Sequence, residues 1–251
     1  LANRLRIIID DIIGEEQSAF IPGRLIDDNV LTAYECIHYL KRKKGKTGGC
    51  AIKIDMAKAY DRVEWQYLQE IMLALGFSEA WTQRIMECVR TISFSVRVNG
   101  EYSSFFKPSR GLRQGDPISP YLFLLCVEGL SSLLKNSGPR YLAKGIRIGI
   151  HAPRVSHLLF ADDCITFTEA SKKGADRIQT VIENYNRASG QLVNKQKSSV
   201  FFSPNTEHDV KMEVRNSLGI QNEALGAKYL GLPTAIGRST KEAFEHIPER
   251  V

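Results

Sequence analysis

Ser156-His-Leu-Leu-Phe-Ala-Asp-Asp-Cys-Ile-Thr-Phe167 is the stretch that decides the fold. Apolar residues of strand type flank Asp162-Asp163 on both sides, which predicts a β-hairpin with two acids at its tip. Adjacent carboxylates repel each other, so stability alone does not favour them there. They gain by holding a hard cation, since carboxylate oxygens suit Mg²⁺. The pair also fits a plain polar turn, where Asp is common. The hairpin by itself leaves both readings open.

Working outward, Ala51-Ile-Lys-Ile-Asp55 reads as a short buried strand that ends in a third carboxylate. Asp55 fits a helix N-cap, since a helix could follow directly, as well as a metal ligand. If the three acids met, they could hold two Mg²⁺ ions about 3.5–4 Å apart, the arrangement that serves phosphoryl transfer. Their separation along the chain is no motif in itself. Between them lies Arg110-Gly-Leu-Arg-Gln-Gly-Asp-Pro117. Its glycines let backbone approach a ligand closely, and Pro117 suits a helix start. Arg110, Arg113 and Gln114 could address phosphate or a base, or the loop could be an ordinary connection.

The remaining pattern alternates helix and strand irregularly, as in an α+β fold. Helices are expected over 1–13, 30–44, 118–136, 172–189 and 207–218. The second carries Asp28 or Asn29 as cap and Val30, Leu31, Tyr34, Ile37 and Leu40 on its buried face. Trp65, Leu68, Ile71, Met72 and Leu75 mark another helix, and Ser78 caps the next. Thr206 with Asp209 reads as a capping box. Asn99-Gly100 between extended segments is a strong hairpin signal. Strands are expected at 145–150, 155–160, 164–168, 198–203 and 228–230.

Composition narrows the class. The 251 residues are 43% hydrophobic and 25% charged, which suits a globular chain. Lys+Arg 34 against Asp+Glu 28 gives a net charge of +6, compatible with a phosphate-rich partner. The longest apolar run, Tyr121 to Val127, stops at Glu128, far short of a membrane span, and no secretory leader opens the chain. The cysteines Cys36, Cys50, Cys88, Cys126 and Cys164 are odd in number and never spaced C-x-x-C. Neither a disulfide framework nor a zinc site is expected, and a reducing compartment is. The chain starts at Leu1 inside a helical pattern and reads as a fragment of a longer protein.

The order of the pieces resembles the reverse transcriptases of LINE-type (non-LTR) retrotransposons. Ala51-Ile-Lys-Ile-Asp-Met-Ala-Lys-Ala-Tyr-Asp-Arg-Val63 is similar to motif A of that family. Gly111 to Phe123 is similar to motif B, Phe160-Ala-Asp-Asp163 to motif C, and Ser189 to Ser198 to motif D. Tyr229-Leu-Gly-Leu-Pro233 is similar to motif E, the primer grip. Leu1-Ala-Asn-Arg-Leu5 and Gln17-Ser-Ala-Phe-Ile-Pro-Gly-Arg24 resemble finger motifs.

The resemblance implies an α+β right-hand fingers and palm, its antiparallel palm sheet packed on helices, with the thumb largely missing. Residues 1–235 would form the reverse transcriptase domain, with partial fingers over 1–48 and a palm with inserted fingers over 49–235. Residues 236–251 would begin the thumb. It implies an RNA-directed DNA polymerase with Asp55, Asp162 and Asp163 as catalytic carboxylates. These, with the Met56 carbonyl, would hold two Mg²⁺, for which Mn²⁺ could substitute. Tyr60 would be the steric gate under the sugar, and Gln114 and Gly115 would line the nucleotide side. Arg24 would reach the triphosphate, Lys197 would protonate the leaving pyrophosphate, and Leu230 and Gly231 would support the primer end. Implied partners are an RNA template, a DNA primer and dNTPs, in the nucleus. A retroelement remnant that at most binds RNA is the main alternative. Another Mg²⁺-dependent phosphoryl-transfer enzyme is a third.

Overall fold

The computed structural model describes residues 1–136, 145–223, 228–230 and 232–233. The expected thumb start at 236–251 and Gly231 lie outside these described residues. Among them no helix is long and apolar enough to cross a membrane.

A five-stranded sheet is the frame. Strand β1 (Gly49–Ile54) lies in the middle, and β6 (His157–Phe160) and β7 (Asp163–Glu169) form the hairpin on one side. Strand β8 (Ser199–Phe202) pairs β1 on the other side, and β9 (Asn222–Glu223) closes that edge. All pairings are antiparallel except β8 with β9, which is parallel, so the sheet is mixed at one edge. Side chains alternate along each strand. Cys50, Ile52, Ile54, Cys164 and Val200 enter one core, and Ala51, Leu158, Ile165, Phe167 and Phe201 enter another.

Helices cover both faces. Helix α1 (Ala2–Ile12) and α5 (Ser119–Asn136) belong to the larger core, with α6 (Lys172–Ser189) and α7 (His208–Leu218). Helix α5 runs through its centre: Leu122, Phe123, Leu124, Leu125 and Cys126 are at most 1% exposed. A helix apolar all round has to be buried all round. Helix α2 (Ile26–Arg42) covers the other face through Ala33, Cys36, Ile37 and Leu40. Helices α3 (Trp65–Ala74) and α4 (Glu79–Arg90) form an excursion after β1. Ser78 caps α4 as expected, its hydroxyl accepting from Trp81 N, and Ser171 caps α6 by accepting from Gly174 N. Short hairpins β2 (Arg97–Val98) with β3 (Glu101–Tyr102), and β4 (Ile146–Arg147) with β5 (Arg154–Val155), lie outside the sheet. A last pair joins β10 (Lys228–Tyr229) to β11 (Leu232–Pro233). Asn99 and Gly100 have φ of 51° and 92°, the left-handed pair that a tight hairpin needs.

The structure corrects several expectations. Helix α2 begins at Ile26 with no side-chain cap, and neither Asp28 nor Asn29 caps it. Its buried face runs through Asn29, Ala33, Cys36, Ile37 and Leu40, while Leu31 is 61% exposed. The capping box at Thr206 does not form: Glu207 occupies the N-cap, and the buried Thr206 hydroxyl pairs with Ser203 Oγ at 3.2 Å. The strand expected over 155–160 breaks at Ser156, whose carbonyl accepts from Phe167 N. Of the cysteines, Cys88 is exposed and the other four are buried.

Candidate active site

The register brings the acids together. Ile54 pairs with Cys164, so continuing by one step sets Asp55, just past β1, opposite Asp163 at the start of β7. Both positions share parity with Ala51, Ile165 and Phe167, so both face the α2 side of the sheet, beyond the helix's cover. Phe160 pairs with Asp163, which leaves Ala161 and Asp162 as a two-residue turn. Asp163 is thus a strand residue, and Asp162 alone of the two acids occupies the turn. Asp55 is fixed through its peptide: its N–H donates to Ser198 Oγ at 3.1 Å, and its carbonyl accepts from Asn194 N at 2.8 Å.

Electrostatics agrees with that geometry. Burial holds Asp163 above the usual carboxylate range, and the Asp162 and Asp55 charges push it the same way. Lys53, whose Nζ is 4.0 Å from Asp163 Oδ1, opposes the rise. Burial likewise pushes the Tyr60 hydroxyl up to about 12, with Asp162 adding to it. Asp163 therefore stands beside two further carboxylates whose charge a cation would offset.

The loop before α5 is sewn to the segment after Asp55. Leu112 N donates to Tyr60 O and Gly111 N to Val63 O, both at 2.8 Å. Gln114 Nε2 donates to Asp61 Oδ1 at 3.3 Å. The Tyr60 ring stacks on Phe123 of α5 with centroids 4.5 Å apart and planes 13° apart. Gly115, at φ +87°, faces open space. Met56 shares a small niche with Ala161 and Asp162, and its backbone bridges to Val193. Exposed Lys197 rides on the same loop as Asn194 and Ser198, the two residues that fix the Asp55 peptide. Asp55, Met56, Tyr60, Gln114, Gly115, Asp162, Asp163 and Lys197 therefore sit on strand ends and loops tied to one another.

Two expected residues stand on other segments of the chain. Leu230, at φ 50°, follows β10, which is anchored through the Tyr229 hydroxyl to Asn29 Oδ1 at 2.8 Å. Arg24 spends its guanidinium locally. It pairs with Asp10 at 2.8 Å and donates to the carbonyls of Ile13, Gly14 and Gln17. It bolts the end of α1 to the following loop, and none of its recorded bonds is to an acid of the site.

Oxygen donors alone, with hard carboxylates at the centre, suit Mg²⁺ or Mn²⁺. Among the described residues no three acids, His or Cys stand close enough together to hold a metal ion between them, so Asp55, Asp162 and Asp163 are neighbours and not a finished ligand set.

Residues 1–234 match the family of reverse transcriptases, RNA-dependent DNA polymerases. The chain belongs to the reverse transcriptase family. Relatives of this reverse transcriptase domain include an uncharacterized mitochondrial protein of Arabidopsis thaliana, 53% identical over 26% of this chain and 54% of that protein. The transposon TX1 149 kDa protein of Xenopus laevis is 27% identical over 91% of this chain and 17% of its own length. A retrovirus-related Pol polyprotein from an R2 retrotransposable element of Popillia japonica is 28% identical over 64% of this chain and 25% of its length. The chain thus spans about half of the first relative and less of the others. The structure of apo telomerase from Candida tropicalis superposes with a TM-score of 0.60 at 16% identity, covering 92% of this chain and 42% of that one. The right-hand fingers-and-palm fold is shared across that distance.

Sequence reasoning missed several residues of the domain that shape the site: Lys53, Phe123, Asn194, Ser198, Asn29 and Gln17. Lys53 was findable, since strand parity sets it on the face of Asp55. Ser198 and Asn194 act through backbone bonds, which leave no pattern in a single sequence.

Proposed function

We propose that this domain is the fingers-and-palm core of an RNA-directed DNA polymerase that extends a primer with dNTPs. The observation that carries the reading is the strand register that sets Asp55 opposite Asp163, next to the turn that carries Asp162. Asp55, Asp162, Asp163 and the Met56 carbonyl would hold two Mg²⁺. Bound there, Mg²⁺ would acidify the primer hydroxyl and offset charge on the triphosphate. The primer 3′-hydroxyl would lose its proton to solvent as its oxygen bonds to the α-phosphorus, the bond from that phosphorus to the bridging oxygen would break, and pyrophosphate would leave. Lys197 would give the leaving group its proton.

Tyr60 would hold its ring under the sugar and exclude a 2′-hydroxyl, with Phe123 as the wall behind it. Gln114 and Gly115 would flank the incoming base pair, and Leu230 and Gly231 would carry the primer end. An RNA template is supported by the fold: a Candida tropicalis telomerase, 15% identical with a TM-score of 0.60, is solved in complex with a fragment of telomeric RNA. Phosphate contacts dominate affinity for such partners, and the net charge of +6 favours them.

The test is dTTP incorporation on oligo(dT)–poly(rA) with Mg²⁺, comparing the chain with an Asp162→Ala, Asp163→Ala double variant. Incorporation that the double variant abolishes supports the reading. A folded wild-type chain that incorporates nothing, or a double variant that still does, overturns it.

A further inference from the structure

The turn that carries Asp162 is gripped by a side chain from far outside the hairpin. Ala161 has φ 53°, in the left-handed region that a Cβ disfavours. Such a conformation persists only where the surroundings hold it. Gln17 supplies the hold. Its Oε1 accepts from Ala161 N at 2.9 Å, and its Nε2 donates to Ala161 O at 3.4 Å. One amide thus closes on both backbone polar groups of the strained residue. The same Oε1 accepts from Ala19 N at 3.0 Å, which fixes the side chain's direction.

The base of this grip is itself braced. Leu159 N donates to Glu16 O at 2.8 Å and Ser18 N to Leu159 O at 3.1 Å, so the backbone around Gln17 runs beside β6. Asn29 Nδ2 donates to Leu159 O at 2.8 Å. Arg24 donates to Gln17 O at 2.7 Å from the other side. Gln17 is only 1% exposed. An amide so buried is costly unless its bonds are made, and an apolar side chain of similar size would fill the space without that cost.

We propose that Gln17 is a positioning residue: it holds the Ala161–Asp162 turn in its left-handed conformation and so sets the aim of the Asp162 and Asp163 carboxylates. The inference rests on the metal-holding reading of those two acids. Gln17 acts through the turn, so its loss should weaken metal binding and turnover rather than grip on primer–template.

The test uses Gln17→Met, which keeps the volume and removes the amide, alone and with Ala161→Gly. Glycine adopts positive φ without steric cost, so it should relieve the need for the grip. Two readouts run in parallel: Mn²⁺ binding followed by electron paramagnetic resonance, and steady-state dTTP incorporation. Gln17→Met should weaken Mn²⁺ binding and lower kcat about tenfold, leaving KM for primer–template unchanged. Adding Ala161→Gly should restore at least half of both losses. Gln17→Asn, whose amide stops one methylene short, replaces Gln17→Met should the latter fail to fold. Unchanged Mn²⁺ binding in a folded variant, or no recovery with Ala161→Gly, overturns the proposal. A wild-type chain that binds Mn²⁺ yet incorporates nothing would sink the polymerase reading alone, and the Mn²⁺ arm would still decide the role of Gln17.

Discussion

Lys53 Nζ stands 4.0 Å from Asp163 Oδ1, diagonally across β1 and β7. It is a positive charge beside a carboxylate that burial, Asp162 and Asp55 all hold above its ordinary range. Replacing Lys53 with Met should therefore raise the Asp163 titration midpoint further. Carboxyl ¹³C resonances followed through an acid titration in metal-free buffer would show it. An unchanged or lower midpoint would mean that Lys53 does not act on Asp163.

The same shift has a stability consequence. An acid whose folded pKa is raised takes up its proton more readily folded than unfolded. Ionised Asp163 therefore costs stability at neutral pH, and the cost fades as pH falls through its raised pKa. Metal-free Asp163→Asn should melt at a higher temperature than the parent at pH 7. A lower melting temperature would contradict the origin assigned to the shift.

His157 works in the opposite sense. It is fully buried between Ser131 Oγ at 3.0 Å and Ser156 Oγ at 2.9 Å, and burial lowers its pKa to about 4. The unfolded chain binds this proton below about pH 6.5 and the folded chain does not. Stability should thus fall as pH drops from about 6.5 to about 4, by no more than about 3 kcal/mol, and then level off. Urea denaturation across that window should show a flatter profile for His157→Gln. Equal slopes would remove His157 as the cause.

Much of this was legible because its signals are local. Apolar strand-type runs marked β1 and the β6–β7 hairpin, Ser78 marked the start of α4, and Asn99-Gly100 marked a turn. What stayed hidden depends on partners remote in sequence. Helix α2 is rotated toward Asn29 because Asn29 finds Leu159 O and the Tyr229 hydroxyl. Thr206 caps nothing because Ser203 claims it. The edge strand β9 is too short to announce its parallel pairing. Among the acids, Asp162 and Asp163 stood out together, but their meeting with Asp55 is a fact of register that no single segment records.

Gly111 offers a test of how the loop before α5 is held. At φ +90° a side chain is strained, and a Cβ there would lie 2.8 Å from Asp61 O. Gly111→Ala should destabilise the fold by about 1–3 kcal/mol in urea titrations. Gly115→Ala, where a Cβ meets nothing within 4 Å, should cost less. Equal costs would mean that the close approach to Asp61 is not what Gly111 serves.

Tyr60 lies flat against Phe123, so its ring position is set by packing. Tyr60→Ala should increase incorporation of rNTPs relative to dNTPs at least about tenfold, the scale of a lost steric exclusion. Tyr60→Phe should leave the ratio unchanged, since the ring does the excluding. Discrimination retained in Tyr60→Ala would assign the gate elsewhere.

The central claim is that Asp55, Asp162 and Asp163 share one metal site. Fe²⁺ can take the place of Mg²⁺ among oxygen donors, and with ascorbate and peroxide it cuts the backbone next to where it binds. With dTTP present, cleavage should appear near residue 55 and near residues 162–163 in the same chain. Excess Mg²⁺ should suppress both cuts together, and the Asp162→Ala, Asp163→Ala variant should lose both. Cleavage at one segment only, or cuts that survive in the variant, would contradict the account.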